Sequence, residues 1–154
     1  MEPYVQRSGL WDYFFDAQRF QIDLYTFTEQ YELAISEANK MKQKALNTNS
    51  NRGTVAAYQC LSNAYIGSQR WDEGLKALEE AYRLLPKKGN AVVHISVLSQ
   101  LISVTKEMKD NNRQLKYLQE LESVLRKFII DIPSLKHGFA DVFIFNEIFY
   151  AHYY

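Results

Sequence analysis

The sequence has a single cysteine, Cys60, among its 154 residues. One cysteine excludes an internal disulfide framework and does not indicate a cellular compartment. Cys60 lies in a predicted helix, so we interpret it as an inert buried thiol rather than a nucleophile.

The sequence also has no net charge, because 18 Lys and Arg residues balance 18 Asp and Glu residues. A neutral chain has no overall field to recruit nucleic acid or an anionic membrane, so we expect neither as a partner. The composition, 47% apolar and 23% charged, is typical of a folded protein, and the length is that of one domain.

Catalytic and cofactor motifs are missing. His94, His137 and His152 are far apart, and none belongs to a zinc-binding HExxH pattern. No glycine-rich nucleotide loop, GxSxG nucleophile motif or CxxC pair occurs. We therefore expect a non-catalytic protein without a metal or cofactor.

Strand signals are missing too, and the apolar pattern predicts an all-α series of about seven antiparallel helices. The polar stretch Asn47–Gly53 is predicted to be a loop. Pro133 and Ser134 are predicted to separate the sixth helix from the last. The predicted helices cover about 9–28, 29–46, 55–66, 71–85, 91–108, 113–130 and 135–154.

The clearest pattern is a pair of helices between Val55 and Lys88, joined by Gly67-Ser68-Gln69-Arg70. Small and large residues alternate along it, which lets two antiparallel helices approach closely. Tyr65, Trp71 and Leu78 are expected to be buried at its centre. The residues that carry the pattern are Tyr58, Leu61, Ser62, Tyr65, Trp71, Gly74, Leu78, Ala81 and Pro86.

This stretch resembles a tetratricopeptide repeat, in both its residue types and their positions. The pattern recurs at a spacing of 40 residues, as in Tyr31, Trp71 and Asn111, or Ala38, Leu78 and Leu118. The repeats cover about 10–46, 55–88 and 91–130, with a partial fourth over 134–154. The resemblance implies one domain over 1–154, built as a right-handed superhelix of helix pairs.

The resemblance also implies that the first helix of each pair lines a concave surface, where a peptide or helix from another protein binds. It does not match the repeats that grip a terminal carboxylate, because Gln59 stands where a lysine is needed. The candidate binding residues are Arg19, Asp23, Gln59, Asn63, Ile66, Ser99, Ser103 and Lys106.

An alternative function follows from a second resemblance. The stretches from Trp11 to Met41 and from Ala56 to Pro86 are similar to repeat arrays in the input regions of bacterial sensor histidine kinases. This similarity implies ligand sensing or dimerisation in a periplasmic input region, whereas a free-standing adaptor is expected in the cytoplasm. A segment that only spaces other domains is a third possibility.

The last predicted helix, over 135–154, is strongly aromatic and has no following partner. Asp141, Asn146, Glu147 and His152 interrupt it, so it is not expected to insert into a membrane. We expect a fragment of a longer protein, cut within its fourth repeat, rather than a terminal helix that packs on the third repeat. In the isolated chain we expect its surplus aromatic surface to be covered by pairing into a homodimer, with cover by the aromatic N-terminal segment as the alternative. The candidate self-association residues are Phe139, Phe143, Phe149, Tyr150 and Tyr153.

Overall fold

The structure is a computed structural model that describes residues 11–87 and 91–131. The described residues are helical, with no strand among them, which confirms the all-α prediction. The seventh predicted helix and its self-association residues lie outside them. The helices are α1 (Trp11–Phe27), α2 (Tyr31–Asn47), α3 (Asn51–Gly67), α4 (Trp71–Leu84), α5 (Ala91–Glu107) and α6 (Asn111–Asp131).

The chain divides into two compact units, Met1–Leu85 and Pro86–Tyr154. The first unit contains α1 to α4, and the second contains α5 and α6. The right-handed superhelix and the single repeat domain therefore stay predictions.

The spacing of 40 in the sequence consists of two equal steps of 20. Successive described helices begin 20 residues apart, at Trp11, Tyr31, Asn51, Trp71, Ala91 and Asn111. Four of the helices, α1, α2, α3 and α5, have the same length of 17 residues. The repeating element is thus one helix with its turn.

The same three-residue turn follows each of these four helices. Its middle residue has a left-handed backbone, with φ between 56° and 64°, at Glu29, Asn49, Gln69 and Lys109. The N–H of the third turn residue donates to the carbonyl five residues earlier, as from Arg70 to Tyr65 at 2.7 Å. This is the hydrogen bond of a Schellman motif, and it satisfies a carbonyl that the helix end leaves free.

Hydroxyl groups reinforce three of these turns from the first turn position. The side chains of Thr28, Thr48 and Ser68 each donate to carbonyls three and four residues earlier, at 2.9–3.3 Å. At the third position Ser50 caps α3, since its hydroxyl accepts from the N–H of Gly53 at 3.0 Å. Pro86 ends α4 instead, because Leu85 before it is extended.

Helix α3 is the centre of the first unit, because it packs against α1, α2 and α4. The core combines Phe15 and Ile22 of α1, Met41 of α2 and a small-residue face of α3 that includes Ala57 and Ala64. Such residues let the helix axes approach closely while the larger side chains of α1 and α2 fill the gaps.

The predicted loop over Asn47–Gly53 has the right place but is too long, because only Thr48, Asn49 and Ser50 connect α2 to α3. Gly53 lies inside α3, where a Cβ atom would come within 2.6 Å of the Phe15 ring. Gly53 is therefore needed for the close packing of α3 against α1 rather than for a turn.

The prediction for the central residues of the 55–88 stretch is confirmed only for Leu78, which is fully buried. Tyr65 and Trp71 are half-buried, so the expected full burial of these two rings is wrong. Tyr65 lies at the edge of the core, where the guanidinium of Arg70 sits 4.7 Å from its ring centroid.

The second unit is built from α5 packed against α6. Val97, Leu98 and Leu101 of α5 are fully buried, and Leu118 and Leu121 of α6 are largely buried. The α5 residues lie at helical spacing on one face, as their apolar periodicity predicts.

Candidate functional site

A row of polar side chains runs along the line where α1 and α3 pack together. Asp12, Asp16, Arg19 and Asp23 lie at intervals of four, three and four residues, which places them on one stripe of α1. Arg52 of α3 lies beside the first two, with Nη2 2.8 Å from Asp16 Oδ2 and Nη1 3.8 Å from Asp12 Oδ2. We refer to these five residues, together with Gln59, as the polar row.

Arg19 joins the two helices in the middle of the row. Its Nη1 donates to Gln59 Oε1 at 3.1 Å, and its Nε lies 3.8 Å from Asp23 Oδ2. The Arg19 side chain keeps 35% of its surface exposed, whereas Gln59 is buried. The guanidinium therefore satisfies a buried amide with one edge and faces solvent with another.

Gln59 does not have the position that the sequence predicts for it. It was expected to project from the concave surface, yet it lies beneath Arg19 with 2% of its surface exposed. A glutamine at this depth needs hydrogen-bond partners, and Arg19 supplies one of them. Gln59 is thus the buried member of the polar row, and Arg19 lies over it with part of its side chain exposed to solvent.

Cys60 lies next to Gln59 on α3, with Sγ 3.8 Å from Asp23 Oδ1. The pKa of this thiol is raised to about 12, first by burial and then by the negative charge of Asp23, while Arg19 opposes the shift. The thiol stays protonated at neutral pH, when its nucleophilic thiolate form is absent. The prediction of a buried Cys60 is confirmed.

Asn63 and Ile66 continue along α3 from Gln59, and both are half-buried. Ile66 leans toward α4, because its Cγ1 lies 2.9 Å from where a Cβ atom on Gly74 would be. Asn63 therefore remains a candidate contact residue, whereas part of Ile66 is occupied in packing α3 against α4.

The remaining candidates lie in the second unit. Ser99, Ser103 and Lys106 are exposed on α5 and follow each other at intervals of four and three residues, which places them on one stripe. Their expected continuity with the residues of the first unit stays a prediction.

Sequence reasoning missed Asp12 and Arg52 as members of the row. Arg52 was assigned to the predicted loop over Asn47–Gly53. Two signals pointed to them: the two residues have opposite charges and are 40 residues apart, the spacing that relates α1 to α3.

Within 11–87 and 91–131, no group of three or more His, Cys, Asp or Glu side chains is arranged to hold a metal ion. In the same part of the chain, no helix is long and apolar enough to cross a membrane.

Comparison of the chain with protein-family models, with curated proteins and with solved structures found no match in any of the three. The tetratricopeptide and sensor-kinase resemblances therefore stay predictions from the residues quoted above.

Proposed function

We propose that this chain is a non-catalytic protein–protein interaction scaffold that binds a peptide or helix along the polar row. The observation that carries the proposal is the hydrogen bond between Arg19 and the buried Gln59. It holds a partly exposed guanidinium in place before any ligand arrives. A group that is already ordered loses little conformational entropy on binding, so more of its interaction energy appears as affinity.

The chemistry of the row suits a polypeptide ligand. The guanidinium of Arg19 donates hydrogen bonds, and the carboxylates of Asp16 and Asp23 accept them, so donors and acceptors alternate along one stripe. A peptide backbone presents the same alternation in its N–H and C=O groups. Nucleic acid is disfavoured, because the row has three carboxylates and only two guanidinium groups.

The test begins with a phage-displayed library of random peptides, selected on the immobilised full chain. Binding of a selected peptide is then measured by fluorescence anisotropy. Arg19→Ala and Asp23→Asn are each expected to weaken binding about tenfold, the effect of losing one charge-assisted hydrogen bond. Lys76→Ala, on the exposed side of α4, is the matched control and is expected to leave the affinity unchanged.

Arg19→Ala also removes the hydrogen bond to the buried Gln59 amide oxygen, so circular dichroism must first show that the variant folds. Asp23→Asn keeps the size and shape of its side chain and tests the same surface without that complication. Equal binding by wild type, folded Arg19→Ala and Asp23→Asn would show that the row is not the binding site.

The alternative of a sensory input region for a histidine kinase stays a prediction, because it depends on domains outside this sequence.

A further inference from the structure

Helix α1 has an exposed apolar stripe that neither its core contacts nor the polar row uses. Tyr13, Ala17, Phe20, Leu24 and Phe27 follow at intervals of four, three, four and three residues, so they form one continuous stripe. Exposed fractions are 73% for Tyr13, 76% for Phe20, 48% for Leu24 and 85% for Phe27. We call these five residues the apolar seam. It lies roughly a quarter of the helix circumference from the polar row.

The same five positions in α3, 40 residues later, have the opposite character. They are Gly53, Ala57, Cys60, Ala64 and Gly67, all small. Close packing needs them small, since a Cβ atom would come within 2.6 Å of the Phe15 ring at Gly53 and 2.5 Å of the Tyr31 ring at Gly67. In α3 this stripe is the surface against which α1 and α2 pack closely.

The bulky residues of the apolar seam do not allow two other helices to pack against α1 at such short distances. Rings at Tyr13, Phe20 and Phe27 stand where the fold places glycine, cysteine and glycine. The large exposed side chains therefore indicate a different contact, made at a greater distance between helix axes.

We propose that the apolar seam pairs with the apolar seam of a second copy of this chain, with the two α1 helices antiparallel. Tyr13 and Phe27 each lie seven residues from Phe20, and Ala17 and Leu24 lie three and four residues from it, so the seam is nearly symmetric about Phe20. This near-symmetry suits a two-fold contact between antiparallel helices. Antiparallel pairing around Phe20 places Tyr13 opposite Phe27 of the partner subunit, and the small Ala17 opposite Leu24 of the partner subunit. Small residues then face large ones, so the surfaces interdigitate.

The area of the seam is consistent with a specific dimer. Its side chains together expose on the order of 500 Å², taking ordinary areas for aromatic residues. A patch of that size is near the upper end for a monomer, at about 300–600 Å². Two such patches bury about 1,000 Å² in total, the size at which specific interfaces begin.

Sedimentation velocity of the full chain tests the proposal. Wild type is expected to be a dimer at about 100 μM, and Phe20→Glu is expected to be a monomer, with Kd raised at least about a hundredfold by burial of two facing carboxylates. Leu46→Glu is the matched control, because Leu46 is an exposed leucine on α2 and is expected to leave the dimer intact. Circular dichroism confirms folding of both variants.

Two results would overturn the proposal. One is a wild-type chain that is monomeric at this concentration. The other is a dimer that survives Phe20→Glu, including one that Phe149→Glu disrupts, since that contact would belong to the region outside the described residues.

Crosslinking tests the direction of the pair, in a Cys60→Ala background and with a short bismaleimide. Phe20→Cys is expected to crosslink to its own copy, because the position lies at the two-fold axis. Tyr13→Cys chains alone are expected not to crosslink to one another. A mixture of Tyr13→Cys and Phe27→Cys chains is expected to crosslink. Efficient self-crosslinking of Tyr13→Cys would rule out the antiparallel arrangement.

Discussion

Gly53 of α3 lies directly against the ring of Phe15 of α1: a methyl group on Gly53 would come within 2.6 Å of Phe15 Cδ2. The ring cannot easily move away, because Phe15 is fully buried and packs against Trp11 and Phe14. The close packing of α1 against α3 at this point thus depends on the absence of a side chain at residue 53.

This contact predicts that Gly53→Ala destabilises the chain. Alanine favours a helix over glycine by about 1 kcal/mol, but overpacking a well-filled core costs about 1–3 kcal/mol, so the net free energy of unfolding falls. Urea denaturation measures the change. Phe15→Leu in the same chain is expected to remove part of the penalty of Gly53→Ala, and a stabilised Gly53→Ala variant would contradict the packing.

The left-handed turn residues predict the opposite response to glycine. Gln69→Gly and Glu29→Gly are each expected to raise the free energy of unfolding by about 0.5–1 kcal/mol, because glycine adopts positive φ without the cost that a Cβ imposes. Lys76→Gly, at an exposed position within α4, is the control and should lower it by about 1 kcal/mol. A loss of stability in both turn variants would be inconsistent with the turn geometry.

The cap of α3 can be tested with two matched positions. Ser50→Ala removes the hydroxyl that accepts from the N–H of Gly53, and is expected to cost about 1 kcal/mol. Gln30→Ala changes the equivalent residue before α2, where no side chain caps the helix, and is expected to cost less than about 0.5 kcal/mol. Equal effects in thermal or chemical unfolding would argue against the cap.

The buried thiol predicts a dependence of stability on alkaline pH. The pKa of Cys60 is raised from 9.0 to about 12 by burial, so above pH 9 the unfolded chain loses this proton while the native chain keeps it. The native state therefore loses stability as pH rises through this window, by about 1.4 kcal/mol per pH unit, and loses none from this group below pH 9.

Urea denaturation of wild type and Cys60→Ala at pH 8, 9, 10 and 11 isolates the effect from that of other groups. The difference between the two free energies of unfolding should be constant up to pH 9 and then shift in favour of Cys60→Ala. Parallel curves across the whole range would show that the thiol titrates normally.

The sequence predicted the helices well, because their apolar periodicity is strong, but it missed the 20-residue step. The turns share a backbone conformation rather than residue types: Glu29, Asn49, Gln69 and Lys109 occupy the same left-handed position. Glycine usually marks that position, and here none of the four is glycine. Pattern reading instead placed a loop at Gly53, where glycine serves packing.

The sequence predicted only part of the candidate site, and the pair Arg19 and Gln59 shows why. The tetratricopeptide resemblance predicted that Arg19 and Gln59 would both project from a concave binding surface. The structure brings them together at 3.1 Å but buries Gln59, because the long arginine side chain reaches over it. This contact joins residues 40 positions apart, so the types of neighbouring residues in the sequence do not predict it.

The uniform turn also restricts how the length of this chain can change. Within the first unit each turn reverses the chain, so removing one 20-residue element would leave the remaining turns intact yet exchange the two sides of the helices of that unit that follow. The stripe that packs in α3 would then have to face solvent, and exposed stripes would be buried. Only the addition or removal of two helices with their turns, 40 residues, keeps each side chain on the side of the helix layer that it occupies now. Shortened or duplicated versions of the first unit that fold are therefore expected to differ from it in length by multiples of 40 residues rather than of 20.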